Sequence, residues 1–154
     1  MAHCYVSVGS NIDKAKNIDA GLNSLRETFG ELNVSPIYET AAIGFDGDDF
    51  YNLVVGFESD LSAHAVFQIL RELEFKHGRL PNSQKFSPRS LDLDLLLYGN
   101  EIIEDDVLKL PRVDIEKYVF VLQPLADIAP DLIHPIHQKT YRKMLESLLS
   151  QSPE

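Results

Sequence analysis

Two aspartates one residue apart, Asp92 and Asp94, stand in the run Ser87-Pro-Arg-Ser-Leu-Asp-Leu-Asp-Leu-Leu-Leu-Tyr-Gly-Asn100. In an extended chain such residues share a face, about 7 Å apart. Two like charges so placed repel, and each resists losing its water. A cation between or above them relieves both costs, and hard carboxylate oxygens suit magnesium. Just upstream, Pro88 fixes the backbone and Arg89 offers a permanently charged, forked donor suited to phosphate. A carboxylate pair beside an arginine is the chemistry of a metal-bound polyphosphate. An isolated Asp-x-Asp is more often a solvated strand end, so the neighbouring segments must decide.

They supply further polar groups. Arg71, Lys76, Arg79, Lys85 and Arg89 fall in one short stretch that ends at the aspartates. Asn52 interrupts an otherwise apolar run, and its amide carries the donors and acceptor that read a heterocycle edge. Bonding to a neighbouring loop would explain an asparagine there equally well. His134 and His137, with one cysteine in the chain, do not make a convincing zinc site. No glycine-rich phosphate loop ending in Gly-Lys-Ser/Thr is present, so a triphosphate would be held in another way.

These groups need elements to position them. Residues 3–10 alternate as a strand, with Cys4, Val6 and Val8 on one side. A helix begins at Asp13, carries the stripe Ile18, Leu22, Leu25 and Phe29, and stops at Gly30. Residues 32–38 read as one strand that Pro36 confines to an edge or a bulge. Residues 50–58 form a third strand, with Tyr51, Leu53, Val55 and Phe57 facing one way and Phe50, Asn52, Val54 and Gly56 the other. Ser62 caps a second helix whose stripe is Val66, Ile69, Leu70 and Leu73. Residues 80–87, polar and lying between Gly78 and Pro88, read as a mobile loop able to close over a ligand. The Asp-x-Asp strand follows, with Leu91, Leu93, Leu95 and Leu97 expected on one buried face. Residues 111–119 read as irregular, and 120–128 and 139–149 as helices. The order β-α-β-β-α-β with a helical tail predicts an α+β, ferredoxin-like split βαβ sheet, mostly antiparallel.

The 154 residues suffice for one domain, expected over 1–154. A net charge of −10 argues against nucleic-acid binding, which needs a basic face. No apolar run is long enough for a bilayer, and the N-terminus lacks a signal-peptide pattern. The single Cys4 excludes an internal disulfide and fits a reducing, cytoplasmic setting. A monomer is expected, with a dimer allowed.

Taken together, Val8-Gly-Ser-Asn11, Tyr38-Glu-Thr40, Phe50-Tyr-Asn-Leu-Val-Val55, Leu73-Glu74 with Gly78-Arg79, Pro88-Arg-Ser-Leu-Asp-Leu-Asp-Leu95 and Phe120-Val-Leu-Gln-Pro-Leu125 resemble the 6-hydroxymethyl-7,8-dihydropterin pyrophosphokinases of folate synthesis. The resemblance implies that ATP donates its terminal two phosphates as one unit to the hydroxymethyl group of a reduced pterin, releasing AMP. It implies two magnesium ions on Asp92 and Asp94, and pterin contacts from Thr40, Ile43, Phe50, Asn52 and Phe120. It implies ATP contacts from Arg71, Glu74, Arg89, Leu95 and Lys109. Arg79, Arg89 and Arg112 are the expected catalytic cations, with Arg79 in the closing loop. The chain departs from the family pattern at Arg112, where a histidine is usual, and at Tyr118 and Pro81, where arginines are usual. Phe86 stands where many members have tryptophan. Arg112, with Lys109 and Lys117, is expected to supply the lost charge. The alternatives are a paralogue that binds pterin or nucleotide without efficient transfer, and a ligand-free interaction domain.

Overall fold

The computed structural model describes residues 1–40, 49–78 and 90–151. The loop expected over 80–87, together with Arg79, Ile43 and Arg89, lies outside the described residues. Strand β1 (Ala2–Ser10) leads to helix α1 (Lys14–Phe29), which Gly30 ends at a positive φ of 89°. Asp13 precedes that helix in the left-handed region and makes no side-chain cap. The single strand expected over 32–38 is two short ones, β2 (Asn33–Val34) and β3 (Tyr38–Thr40). Pro36 has no N–H for a ladder, and Ser35 bonds β4 instead: its hydroxyl accepts from Val54 N at 2.9 Å.

β4 (Phe50–Ser59) is followed by α2 (Ala63–Lys76), whose N-cap Ser62 accepts from Ala65 N at 3.1 Å. Then come β5 (Asp92–Tyr98), the hairpin β6 (Ile103–Glu104) and β7 (Lys109–Leu110), and the one-turn helix α3 (Asp114–Lys117). That turn lies in a segment expected to be irregular. Helices α4 (Val119–Ile128) and α5 (Tyr141–Gln151) complete the described chain.

The main sheet has the order β2-β4-β1-β5, with β3 beside β4, and all its pairings are antiparallel. β1 and β2 flank β4, which is the split βαβ arrangement expected. α1 and α2 pack on one face through a core of Val6, Val8, Leu25, Val55, Val66 and Leu93. α4 and α5 pack on the other through Val54, Leu96, Leu122, Leu125 and Tyr141. Each such side chain contributes about 1.5–3 kcal/mol by leaving water. Gly21 lets α1 sit close to β5: a Cβ there would lie 2.8 Å from Leu91 Cδ1.

One expectation about β5 fails. Leu97 does not share the face of Leu91, Leu93 and Leu95. The register against β1 shifts between Tyr5 and Val6, so Leu95 faces Val6 and Leu97 faces Tyr5. This bulge inserts a residue and reverses the alternation, placing both Leu96 and Leu97 in the second core. The aspartates precede the bulge and keep their common face.

Candidate active site

Three adjacent strands carry the site in one row. Asn52 of β4 is the register partner of Gly9 in β1, and Gly9 is the partner of Asp92 in β5. In the next row Val54, Ser7 and Asp94 align. Adjacent strands are about 4.8 Å apart, so Asn52 and Asp92 stand about 10 Å from each other across the sheet. Between them Gly9 leaves the floor open. A Cβ on Gly9 would lie 3.1 Å from Asn52 Oδ1 and 3.8 Å from the Phe50 ring. The row opens into a cleft of about 810 Å³ between the sheet, the β6–β7 hairpin and the start of α4.

At the Asn52 end the polar groups are held in place. Asn52 is 6% exposed, and its amide nitrogen donates to Thr40 Oγ1 at 2.7 Å. Phe50 and Phe120 line the same space, and Tyr118 stacks on Phe120 with ring centres 4.9 Å apart. Tyr38 donates a short hydrogen bond to Asp127. That bond joins the strand of Thr40 to the helix of Phe120, and it is the first cause raising the Tyr38 pKa to about 12.

The other end concentrates charge. Oxygens of Glu74, Asp92 and Asp94 lie within 4.8 Å of one another. Glu74, 1% exposed, reaches from α2 to the edge strand and accepts from Leu93 N at 2.7 Å, between the two aspartates. Arg71 Nε lies 3.8 Å from its other oxygen. The Asp94 side chain keeps 27% of its surface. Burial and then the charge of Asp92 raise its pKa to about 7, against the partial opposition of Arg112. Among the described residues, Arg71 and Arg112 are the cations set against these carboxylates. An all-oxygen donor set of crowded carboxylates fits a hard divalent cation such as magnesium.

Arg112 faces this group. Its outer nitrogen is 3.7 Å from Asp94 Oδ1, and its Nε is 3.4 Å from Asp114 Oδ2. Burial opposes the charge on Arg112, but Asp94, Asp114 and Asp92 outweigh it and raise its pKa.

Thr40, Phe50, Asn52, Arg71, Glu74, Asp92, Asp94, Leu95, Lys109, Arg112 and Phe120 all line this one cleft. Leu95 does so from the first core, at 3% exposure. Lys117 does not line it. Glu74, expected on the nucleotide side, has its carboxylate beside Asp92 and Asp94. The sequence reasoning missed Ser7, Gly9 and Asp114. Only the position of Asp114, two residues after Arg112, could have marked it. His134 and His137 meet Glu116 within 4.8 Å. Even so, His134 Nδ1 accepts from the N–H groups of Ile136 and His137, both at 3.1 Å. In the neutral ring that leaves the proton on Nε2 and no lone pair toward a metal.

Residues 5–130 match the family 7,8-dihydro-6-hydroxymethylpterin-pyrophosphokinase (HPPK). The chain belongs to the HPPK family. It is 33% identical over 145 residues to the 2-amino-4-hydroxy-6-hydroxymethyldihydropteridine pyrophosphokinase of Aquifex aeolicus, covering 93% of this chain and 90% of that one. It is 36% identical over 151 residues to the folic acid synthesis protein fol1 of Schizosaccharomyces pombe, covering 96% of this chain but 20% of that longer protein. Among solved structures, an HPPK-DHPS in complex with substrates superposes with a TM-score of 0.77 at 14% identity, over 98% of this chain and 46% of that one. At that identity the likeness speaks for the fold. The HPPK chain is thus an α+β pyrophosphokinase, as its motifs led us to expect. Among the described residues no helix is long and apolar enough to cross a membrane.

Proposed function

We propose that the row Asn52–Gly9–Asp92 aligns a reduced pterin with Mg-ATP for transfer of pyrophosphate to 6-hydroxymethyl-7,8-dihydropterin, releasing AMP, in folate synthesis. One observation carries this reading: a buried, oriented amide and a group of carboxylates face one cleft about 10 Å apart, with a glycine between.

Asn52 and Thr40 pair with the edge of the pterin, and Phe50 and Phe120 flank its ring. Asp92 and Asp94 hold two magnesium ions, with the Glu74 carboxylate adjoining. Bound there, the metal would supply neutralisation of phosphate charge. Arg112, Arg71 and Lys109 add positive charge along the cleft, and Arg79 and Arg89 are assigned to the phosphates by the family motif. The residues mainly position and neutralise, which suffices for phosphoryl chemistry. No observation favours the non-catalytic alternative. We further propose a single domain over 1–154, working as a cytoplasmic monomer.

The deciding assay incubates the protein with ATP, magnesium and hydroxymethyl-dihydropterin and separates the nucleotides. AMP with a diphosphorylated pterin is expected. Release of ADP, or no turnover with intact ligand binding, would overturn the reading.

A further inference from the structure

The guanidinium of Arg112 is shared by two carboxylates, which meet it at different nitrogens. Nε, near the stem, lies 3.4 Å from Asp114 Oδ2. Asp114 is two residues on and opens α3, and its side chain is 15% exposed. The outer nitrogen lies 3.7 Å from Asp94 Oδ1, in the lining of the cleft. The arginine is therefore held at its inner end, with its outer end against a residue that our reading makes a metal ligand. Phosphate would suit that fork as well as carboxylate does.

We propose that Arg112 acts as an internal counter-ion that makes metal uptake depend on nucleotide. Set against Asp94, it opposes a bare divalent cation at the aspartate pair. When nucleotide is present, Arg112 keeps Asp114 and trades Asp94 for a phosphate oxygen. It then loses no charged partner, and the repulsion it exerted is relieved. A cation arriving alone offers no such exchange. Metal and nucleotide then favour each other's binding by the same factor, as linkage requires. This inference rests on the assignment of the metal to Asp92 and Asp94.

The test is manganese binding to the full chain, read by electron paramagnetic resonance, with and without α,β-methylene-ATP. Arg112→Ala should bind bare Mn²⁺ about 10-fold more tightly than wild type, the scale expected for removing one charge that is 33% exposed near the ion. The gain in Mn²⁺ affinity on adding the analogue should shrink by a similar factor. Arg112→Gln, which keeps length without charge, should behave alike and serves if the alanine variant does not fold. Bare-Mn²⁺ affinity that is unchanged or weaker in the folded variant would overturn the proposal. Asp94→Asn separates the two readings. If it loses Mn²⁺ while Arg112→Ala gains none, only the counter-ion role fails. If Asp94→Asn binds Mn²⁺ as wild type does, the metal assignment fails and the counter-ion role with it.

Discussion

The two ends of the cleft reach readiness by different routes. Around Asn52 the amide, the Thr40 hydroxyl and the Tyr38–Asp127 bond are mutually satisfied, so ligand meets groups already aimed. Around Asp94 three carboxylates crowd together, and burial with the charge of Asp92 lifts the Asp94 carboxyl toward neutrality. Recognition can be preorganised with hydrogen bonds, because a neutral amide bonded to a hydroxyl costs little to hold. In our reading the carboxylate end takes a cation, so its balance arrives with the ligand. Mutations should therefore change affinity at one end and, at the other, set activity against stability.

The largest effect is expected for Asp94→Asn. Transfer should fall by about 10³-fold or more, as for loss of a group that stabilises transition-state charge. Stability should move the other way. The Asp94 pKa is about 7 in the folded chain against an ordinary 3.8. Between those values the unfolded chain binds fewer protons, so this group makes the metal-free protein less stable as pH rises from about 4 to 7. With chelator at pH 8, Asp94→Asn should exceed wild type by about 2 kcal/mol, and the advantage should vanish near pH 4. Urea unfolding at the two pH values checks this. A variant less stable than wild type at pH 8 would mean that the carboxylates are balanced after all.

Arg112→Ala comes next, with turnover expected to fall about 10²-fold through loss of a preorganised charge at the phosphates. The dependence on pH sharpens the point. An arginine keeps its charge across the working range, where a histidine would be mostly neutral at pH 7. Single-turnover rates from pH 6 to 9, with magnesium saturating so that metal rather than protons occupies Asp94, should thus give the same ratio of variant to wild type throughout. A ratio that changes with pH would point to a titrating group in its place.

At the other end, Asn52→Ala should weaken pterin binding by about 1–3 kcal/mol, because ligand groups and the Thr40 hydroxyl lose their partner. Bare-metal affinity should not move. Calorimetry with an ATP analogue present measures the first, and manganese titration the second. Equal pterin affinity in variant and wild type would remove Asn52 from the site.

Much of this arrangement was legible in the sequence, for reasons that differ by residue. Alternation around Asp92 and Asp94 fixed their common face, and the Phe50 to Gly56 alternation put Asn52 on the cleft side. The succession β-α-β-β-α-β followed from helix and strand periods. Leu97 was misplaced because a bulge leaves no mark in a run of leucines. The break at Pro36 was read as a distortion of one strand, since Ser35 does its bridging through a contact with β4 that is distant in sequence. Glu74 looked marginal on its helix, because its role depends on reaching an edge strand 19 residues away. Gly9 and Asp114 act only through neighbours brought near by the fold.

Gly9 offers the finest test of the contrast, because it sits between the two ends. Its φ lies outside the left-handed region, so alanine fits the backbone. The added Cβ would stand 3.1 Å from Asn52 Oδ1, tight enough that the amide must shift by a few tenths of an ångström. A satisfied amide has little room to do so while keeping its bond to Thr40. Pterin affinity in Gly9→Ala should drop by about 1 kcal/mol, the scale of one disturbed hydrogen bond. Fold stability should hold or rise by about 0.4–1 kcal/mol, because alanine restricts the unfolded chain. Manganese affinity should stay at the wild-type value although Asp92 is the next residue in the row. Loss of metal and pterin together would show that the ends are coupled through the strand. Loss of pterin alone would place the precision of recognition in the spacing between Gly9 and Asn52, apart from the charge balance at Asp94.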